Sequence, residues 1–328
     1  MKKLDSNFKD IIFESQAEIE GKNVINENLN KVFEKSENSN AIIFRGSKYG
    51  LFDNVFINSD GFGTYLAKDI GLLKIKNEKK YFNKENINQS LVLTDTEQSQ
   101  HFQLVKKVSS LIEELKEISE KSIYLQHGRM SFSGKEKISS RYGNVPLALD
   151  LIKKIQNKIL NKMTEKDFSE KEKNLISEKI AIGILKYSIL KVKSGKNIVF
   201  DFEKDTNPTG NSASFLFYTF VRANSIYNKA NKNKILVVSE NSQNTSDLEK
   251  VLYRFSDKIN ISFKNYSPHF LANYLYDISK KFNQFYETTR ILDEKNPNFH
   301  YNLKLVFKYA EIMKKGLNLL GIENVEKM

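Results

Sequence analysis

The stretch 91–132, LVLTDTEQSQHFQLVKKVSSLIEELKEISEKSIYLQHGRMSF, decides the fold. Leu91–Thr94 is a short apolar run of strand length, a helical pattern follows over roughly 96–118, and Ser122–Phe132 reads as the next strand. A strand, a helix and a strand in succession form a crossover, so the two strands are expected to lie parallel in one sheet. In such sheets ligands settle at the carboxyl ends of the strands, which directs attention to the residues just after 94 and 132.

Upstream, Ala41–Phe44 and Asn54–Ile57 read as two further short strands, and residues 8–37 as one or two short helices. A turn, Ser59-Asp60-Gly61-Phe62-Gly63, then precedes a helix over 64–76 in which Thr64 can serve as N-cap. Tyr65, Asp69 and Leu72 fall on one face of that helix.

Downstream of about residue 145 the pattern turns helical, with segments expected at 145–163, 170–193, 212–231, 246–265, 269–290 and 301–320 and a loop over Asn228–Lys234. Leu303, Val306, Ala310, Met313, Leu317 and Leu320 step by three and four and end at Gly321, the pattern of a core-facing helix with a glycine C-cap. Of the 38 aromatic residues 18 lie in 216–328, and their helical spacing makes them core first and base-stacking surface second. The fold class is therefore α/β followed by all-α.

The 328 residues allow about two domains, and 40% hydrophobic content excludes a disordered or collagen-like chain. A net charge of +12 favours a polyanionic partner, although solvated faces can be as basic. Zero cysteine excludes disulfide frameworks, thiolate catalysis and cysteine-ligated zinc. His101, His127, His269 and His300 do not fall at the spacing of a metal-binding helix, so no protein-bound metal is expected. The polar start and the lack of any run near 20 apolar residues point away from a membrane and towards the cytoplasm.

Between the last expected strand and the next helix lies 134–144, GKEKISSRYGN, a glycine-bounded loop rich in lysine and hydroxyls. Ammonium and hydroxyl groups can follow the moving charge of a triphosphate, yet as a bare pattern the loop reads more readily as a solvated connection. Its company is more specific. KISSR at 137–141 resembles the KMSKS loop of arginyl-tRNA synthetase, a class I aminoacyl-tRNA synthetase. Ser59-Asp60-Gly61, Thr64-Tyr65-Leu66 and Lys68-Asp69-Ile70 are similar to that family's SDG-TYLTRDIA segment, and Gln98 with His101 to its Q-x-x-H element. Gly183–Tyr187, Phe200–Phe202, Gly210–Tyr218 and Arg222 resemble the family's interdomain segment; Pro268–Asn283, Phe285-Tyr286, Gly316–Ile322 and Met328 resemble its helical anticodon-binding domain.

The resemblance implies the C-terminal part of a class I Rossmann-like catalytic domain over 1–215, followed by a helical-bundle anticodon-binding (DALR-type) domain over 216–328. It also implies site residues. Tyr65, Asp69 and Gln98 match the arginine pocket, with Asp69 pairing the substrate guanidinium; a planar cation with five donors needs such a carboxylate. Without the resemblance, Asp69 reads as a helix N-terminal carboxylate favoured by the macrodipole. Lys137, Ser139 and Ser140 match the catalytic loop that steadies the ATP phosphates, and Gly128 and Met130 the backbone that touches adenine. His127 departs from the family's apolar or aromatic residue there.

The implied reaction is arginine–tRNA ligation: arginine and ATP, as its Mg²⁺ complex, give arginyl-adenylate, and the arginyl group passes to tRNA-Arg. Two departures bear on it. Ser140 stands where KMSKS has its second lysine, and no His-x-Gly-His string occurs in the 328 residues. The expectation is thus an N-terminally truncated synthetase, inactive alone; the alternatives are a non-catalytic tRNA-binding module, one half of a split synthetase that a separate N-terminal fragment completes, or a truncated product without function.

Overall fold

A computed structural model describes residues 4, 8–78, 87–133, 147–163, 168–233, 235 and 245–328. The chain divides into two compact units, 1–128 and 129–328.

Unit 1 opens with helix α1 (Glu14–Glu27). Strands β1 (Glu34–Lys35), β2 (Ile42–Phe44) and β3 (Asn54–Ile57) form an antiparallel sheet in that order, with Ile43 opposite Glu34 and Val55. Helix α2 (Tyr65–Asn77) follows, with Thr64 at its N-cap. The Thr64 hydroxyl does not cap it; Oγ1 donates instead to the Val55 carbonyl at 3.0 Å, tying the helix start to β3. Strand β4 (Ser90–Asp95) leads through a 3₁₀ turn, Thr96–Gln98, into α3 (Ser99–Leu111), then α4 (Lys116–Lys121) and β5 (Ser122–His127). β5 pairs parallel with β4, Ser90 against Ser122 through Asp95 against His127. The crossover expected from the sequence is present, but the helix expected over 96–118 is broken. Ile112 takes extended angles, φ −97° and ψ 114°, because its side chain turns into the core, where it is 1% exposed.

The core of unit 1 is built from α1, α2, α3 and the antiparallel sheet: Val24, Ile25, Phe33, Phe44, Phe56, Ala67, Ile70, Leu104, Val105 and Val108 are buried together. The two leading helices touch through glycine. A Cβ on Gly71 would lie 1.8 Å from the Ala17 carbonyl oxygen, and one on Gly21 would lie 1.9 Å from that of Ala67. Only backbone fits there, so the rotation of α2 is fixed by its partner.

Unit 2 begins at β6 (Met130–Phe132), which pairs parallel with β7 (Ile198–Phe200). The single strand expected over 122–132 is therefore two, in different sheets, parted at Gly128-Arg129. Between β6 and β7 lie α5 (Ala148–Lys162) and α6 (Glu170–Leu190), packed on each other, with Ser169 and Glu172 closing a reciprocal capping box at the start of α6. After β7 come α7 (Phe202–Asp205), α8 (Ala213–Lys232), α9 (Asp247–Leu252), α10 (Phe255–Lys264), α11 (His269–Thr288) and α12 (Phe299–Leu319). The loop expected at Asn228–Lys234 is mostly the last turns of α8, held in register by the buried Ala230. The helix expected over 246–265 is two: α9 buries Leu248 and Leu252, whereas α10 buries nothing fully and leaves the apolar stripe.

Aromatic side chains fill the bundle. Phe282 stacks on Tyr309 at 4.0 Å between ring centroids, and the Tyr309 hydroxyl is satisfied by Thr219 Oγ1 at 2.8 Å and Ser279 Oγ at 2.9 Å. Tyr187 donates to Asn211 Oδ1 at 2.7 Å, and burial pushes both phenols upward from their ordinary range. The stripe Leu303–Leu320 faces the core as the spacing predicts, and Gly321 adopts φ +66° after α12. Lys191 Nζ meets the buried Asp205 carboxylate at 2.5 Å and also donates to the Asn211 carbonyl at 2.9 Å. Among the described residues no helix is long and apolar enough to cross a membrane.

Candidate functional site

The site in unit 1 is assembled on α2. The turn that delivers the chain to this helix is self-supporting: Asn58 Oδ1 accepts from the backbone N–H groups of Asp60 and Phe62 at 3.1 and 2.8 Å. Gly61 takes φ +81°, and the Gly63 N–H donates to Glu18 Oε1 on α1 at 3.0 Å. Together with the glycine contact to α1, these bonds set both the start and the rotation of α2. Its Leu66, Ala67, Ile70 and Leu73 then point into the core, while Tyr65, Asp69 and Lys76 share another face.

On that face Asp69 is the centre of a small polar group. Its Oδ2 lies 2.5 Å from His101 Nε2. His101 projects from the first turn of α3, on the same stripe as the buried Val105 and Val108. Its ring meets Phe102 edge to face at 4.9 Å, and Phe102 stacks on Tyr124 of β5 at 4.8 Å. Burial, with the Asp69 charge a lesser cause, pushes the Tyr124 phenol up to about 12, so it stays a neutral hydroxyl at ordinary pH. Burial also pushes the Lys76 ammonium down, against the pull of Asp69, and Lys76 Nζ donates to Ser90 Oγ at 3.3 Å. A carboxylate so placed at a low-dielectric margin is suited to a single cationic group from solution.

Of the expected arginine-pocket residues, the structure places Tyr65 one helical turn before Asp69; the residue is 71% exposed and Lys68 Nζ lies 5.1 Å from its ring centroid. Lys68 is itself paired with Glu14 at 2.8 Å. Gln98 is exposed at the N-cap of α3, one turn before His101, on a 3₁₀ turn whose own cap is Asp95 Oδ1 accepting from the Glu97 N–H at 2.9 Å. The direct contact is thus Asp69 with His101. Sequence reasoning noted His101 only as part of a motif; its place on the inward stripe of α3 was the signal that could have joined it to Asp69.

Gly128 is buried at the end of unit 1, and its carbonyl accepts from His127 Nδ1 at 3.1 Å. Met130 opens β6 in unit 2, opposite Ile198. Lys137, Ser139 and Ser140 lie outside the described residues, as does Tyr142. Among the described residues no cluster of three or more His, Asp or Glu could hold a metal.

Unit 2 carries a second candidate. Arg222 on α8 sits between the rings of Tyr218 and Tyr286, 4.3 and 4.6 Å from their centroids, and its Nη1 donates to Asn283 Oδ1 at 3.0 Å. A cavity of about 420 Å³ beside it is lined by Lys162, Tyr218, Arg222, Lys229, Tyr286 and Met328, among others. Arg222, Tyr286 and Met328, which the sequence presents as separate matched segments, therefore share one wall.

The family described as "tRNA synthetases class I (R), catalytic domain" matches residues 7–202, and "DALR anticodon binding domain" matches 216–328. The arginine–tRNA ligase of Parabacteroides distasonis is 31% identical over 345 residues, covering 100% of this chain and 55% of the relative. That of Flavobacterium psychrophilum is 32% identical over 340 residues, covering 100% of this chain and 54% of the relative. In fold, the chain superposes on Thermus thermophilus arginyl-tRNA synthetase with a TM-score of 0.81 at 20% identity, over 100% of this chain and 61% of that one. The chain spans about half the length of the curated relatives it matches. With the catalytic-domain family matched over more than half its residues and the anticodon-binding family matched after it, the chain belongs to the class I (R) tRNA synthetase family.

Proposed function

We propose that this chain supplies the guanidinium-binding and tRNA-binding part of an arginine–tRNA ligase of the cytoplasm, acting with a separate N-terminal synthetase fragment. The observation that carries the reading is the match of curated arginine–tRNA ligases along 100% of the chain. The α2 carboxylate of Asp69, half-buried and presented beside His101, supports it. Asp69 takes the arginine guanidinium, with Tyr65 and Gln98 lining the pocket. Lys137, Ser139 and Ser140 steady the phosphates of the Mg²⁺–ATP substrate, and the backbone at Gly128 and Met130 meets adenine. The arginine carboxylate attacks the α-phosphorus in line and pyrophosphate leaves; a hydroxyl of the terminal ribose of tRNA-Arg then attacks the carbonyl carbon of the arginyl-adenylate, forming the ester and releasing AMP. Catalysis of this kind is mainly positioning and charge stabilisation.

A non-catalytic tRNA-binding module is the second reading. It draws on a surplus of six positive charges over 216–328 and on the cationic wall around Arg222. The experiment that separates the two is arginine-dependent pyrophosphate exchange by the purified chain, alone and with the N-terminal part of the P. distasonis relative supplied in trans. Exchange only in the mixture, abolished by Asp69→Ala, is the expected result. Exchange in neither case, with tRNA binding retained, selects the binding module.

A further inference from the structure

A carboxylate recognises a guanidinium by its plane, because two parallel N–H donors need two oxygens held in register. An ammonium is a compact point charge and tolerates any approach. The terminal torsion of an aspartate is broad, so the plane of Asp69 is set by whatever grips one of its oxygens. His101 Nε2 provides that grip at 2.5 Å from Oδ2, with the two side chains 23% and 26% exposed. The imidazole is held in turn: its edge meets the Phe102 ring at 75°, and Phe102 is stacked on Tyr124. The chain of contacts therefore runs from β5 through α3 to the carboxylate on α2.

We propose that His101 is a positioning residue which fixes the plane of the Asp69 carboxylate through Oδ2 and so makes this site prefer a guanidinium over an ammonium. This rests on the reading of Asp69 as the guanidinium acceptor. His101 touches the carboxylate rather than the substrate, so its loss acts through Asp69. With the ring removed, the carboxylate rotates freely. Arginine then loses roughly tenfold or more in affinity, whereas lysine, already weak, changes little.

The test uses the full chain, labelled with ¹⁵N, titrated with free arginine and with free lysine while the amide signals of Tyr65, Asp69 and Gln98 are followed. The wild type, His101→Ala and His101→Gln are compared; the glutamine amide offers an N–H donor on a similar reach. The expected outcome is a narrowed arginine-to-lysine ratio in His101→Ala and its recovery in His101→Gln. A merely structural role would lower thermal stability without moving that ratio. Equal arginine affinity in wild type and His101→Ala overturns the proposal while leaving the arginine pocket in place. If arginine leaves all three wild-type signals unmoved, the pocket reading itself falls, and this inference falls with it.

Discussion

Replacing Gly71 by alanine sets two well-known effects against each other. In the interior of a helix, alanine is favoured over glycine by about 1 kcal/mol, so on propensity alone the variant gains stability. The structure demands the opposite. A Cβ at 71 would stand 1.8 Å from the Ala17 oxygen, 2.5 Å from the Gly21 nitrogen and 2.8 Å from the Ala17 carbonyl carbon, all backbone atoms of α1. An ordinary contact needs more than 3 Å, so α1 and α2 must separate by over an ångström along a seam that also buries Ala17, Val24, Ala67 and Ile70. Overpacking in a rigid interior costs about 1–3 kcal/mol, towards the upper end where no side chain can swing aside. The propensity gain offsets only part of this, which leaves a net loss on the order of 1–2 kcal/mol. Hydrogen exchange read on the amides of α1 and α2 is the suitable assay, because it isolates unit 1 from the helical bundle. Protection of both helices should fall by roughly tenfold. Unchanged or increased protection would refute the close approach and, with it, the account of how the Asp69 face is aimed.

Other outcomes follow from individual contacts. Lys191→Met leaves the Asp205 carboxylate, which is 6% exposed, without its cation and with the Asp201 N–H donating to Oδ2 at 2.8 Å, and should destabilise unit 2 by about 3–5 kcal/mol in urea unfolding; a change below about 1 kcal/mol would mean that the buried charge does not depend on Lys191. For Tyr124 the unfolded phenol ionises near 10 while the folded one is held up to about 12, so between those values the unfolded chain binds fewer protons and stability falls as pH rises. Tyr124→Phe should flatten that alkaline loss in unit 1, measured by hydrogen exchange between pH 9 and 11, and an unaltered slope would remove Tyr124 as its source. Binding of tRNA should weaken steeply with salt, with a log–log slope of about −0.7 to −0.9 for each phosphate neutralised; Arg222→Ala should lower affinity, and a salt-independent Kd would rule out an electrostatic interface.

The helical half was readable because its signal is local. The α12 stripe and the Gly321 cap are written in steps of three and four, and the structure repeats them residue for residue. Strand partnership was less readable, since a run such as Ser122–Phe132 carries no mark of where one pairing ends. β5 follows β4, but β6, three residues further on, pairs with β7 across 65 intervening residues. The breaks at Ile112 and Tyr253 were hidden for a related reason: a helical pattern continues through them, and only burial of Ile112 and of Leu248 and Leu252 shows which turns the core holds. In the site, Tyr65 and Asp69 were legible as a four-residue step on one helix. Their link to His101 was not, because it joins elements 32 residues apart through tertiary packing.

The two small parallel sheets should also differ in when they form. Closing β4 on β5 brings together residues 32 apart, whereas Met130 finds Ile198 only after 68 residues of chain, with α5 and α6 lying between. Loop closure costs about 0.6 kcal/mol for each doubling of length, and contacts of long sequence separation slow a folding reaction more than they weaken its product. Among the described residues each of these sheets has two strands, so each forms in a single pairing step. β6 is therefore expected to dock after α5 and α6 have paired, which makes the strand bearing Met130 a late arrival on the folding route.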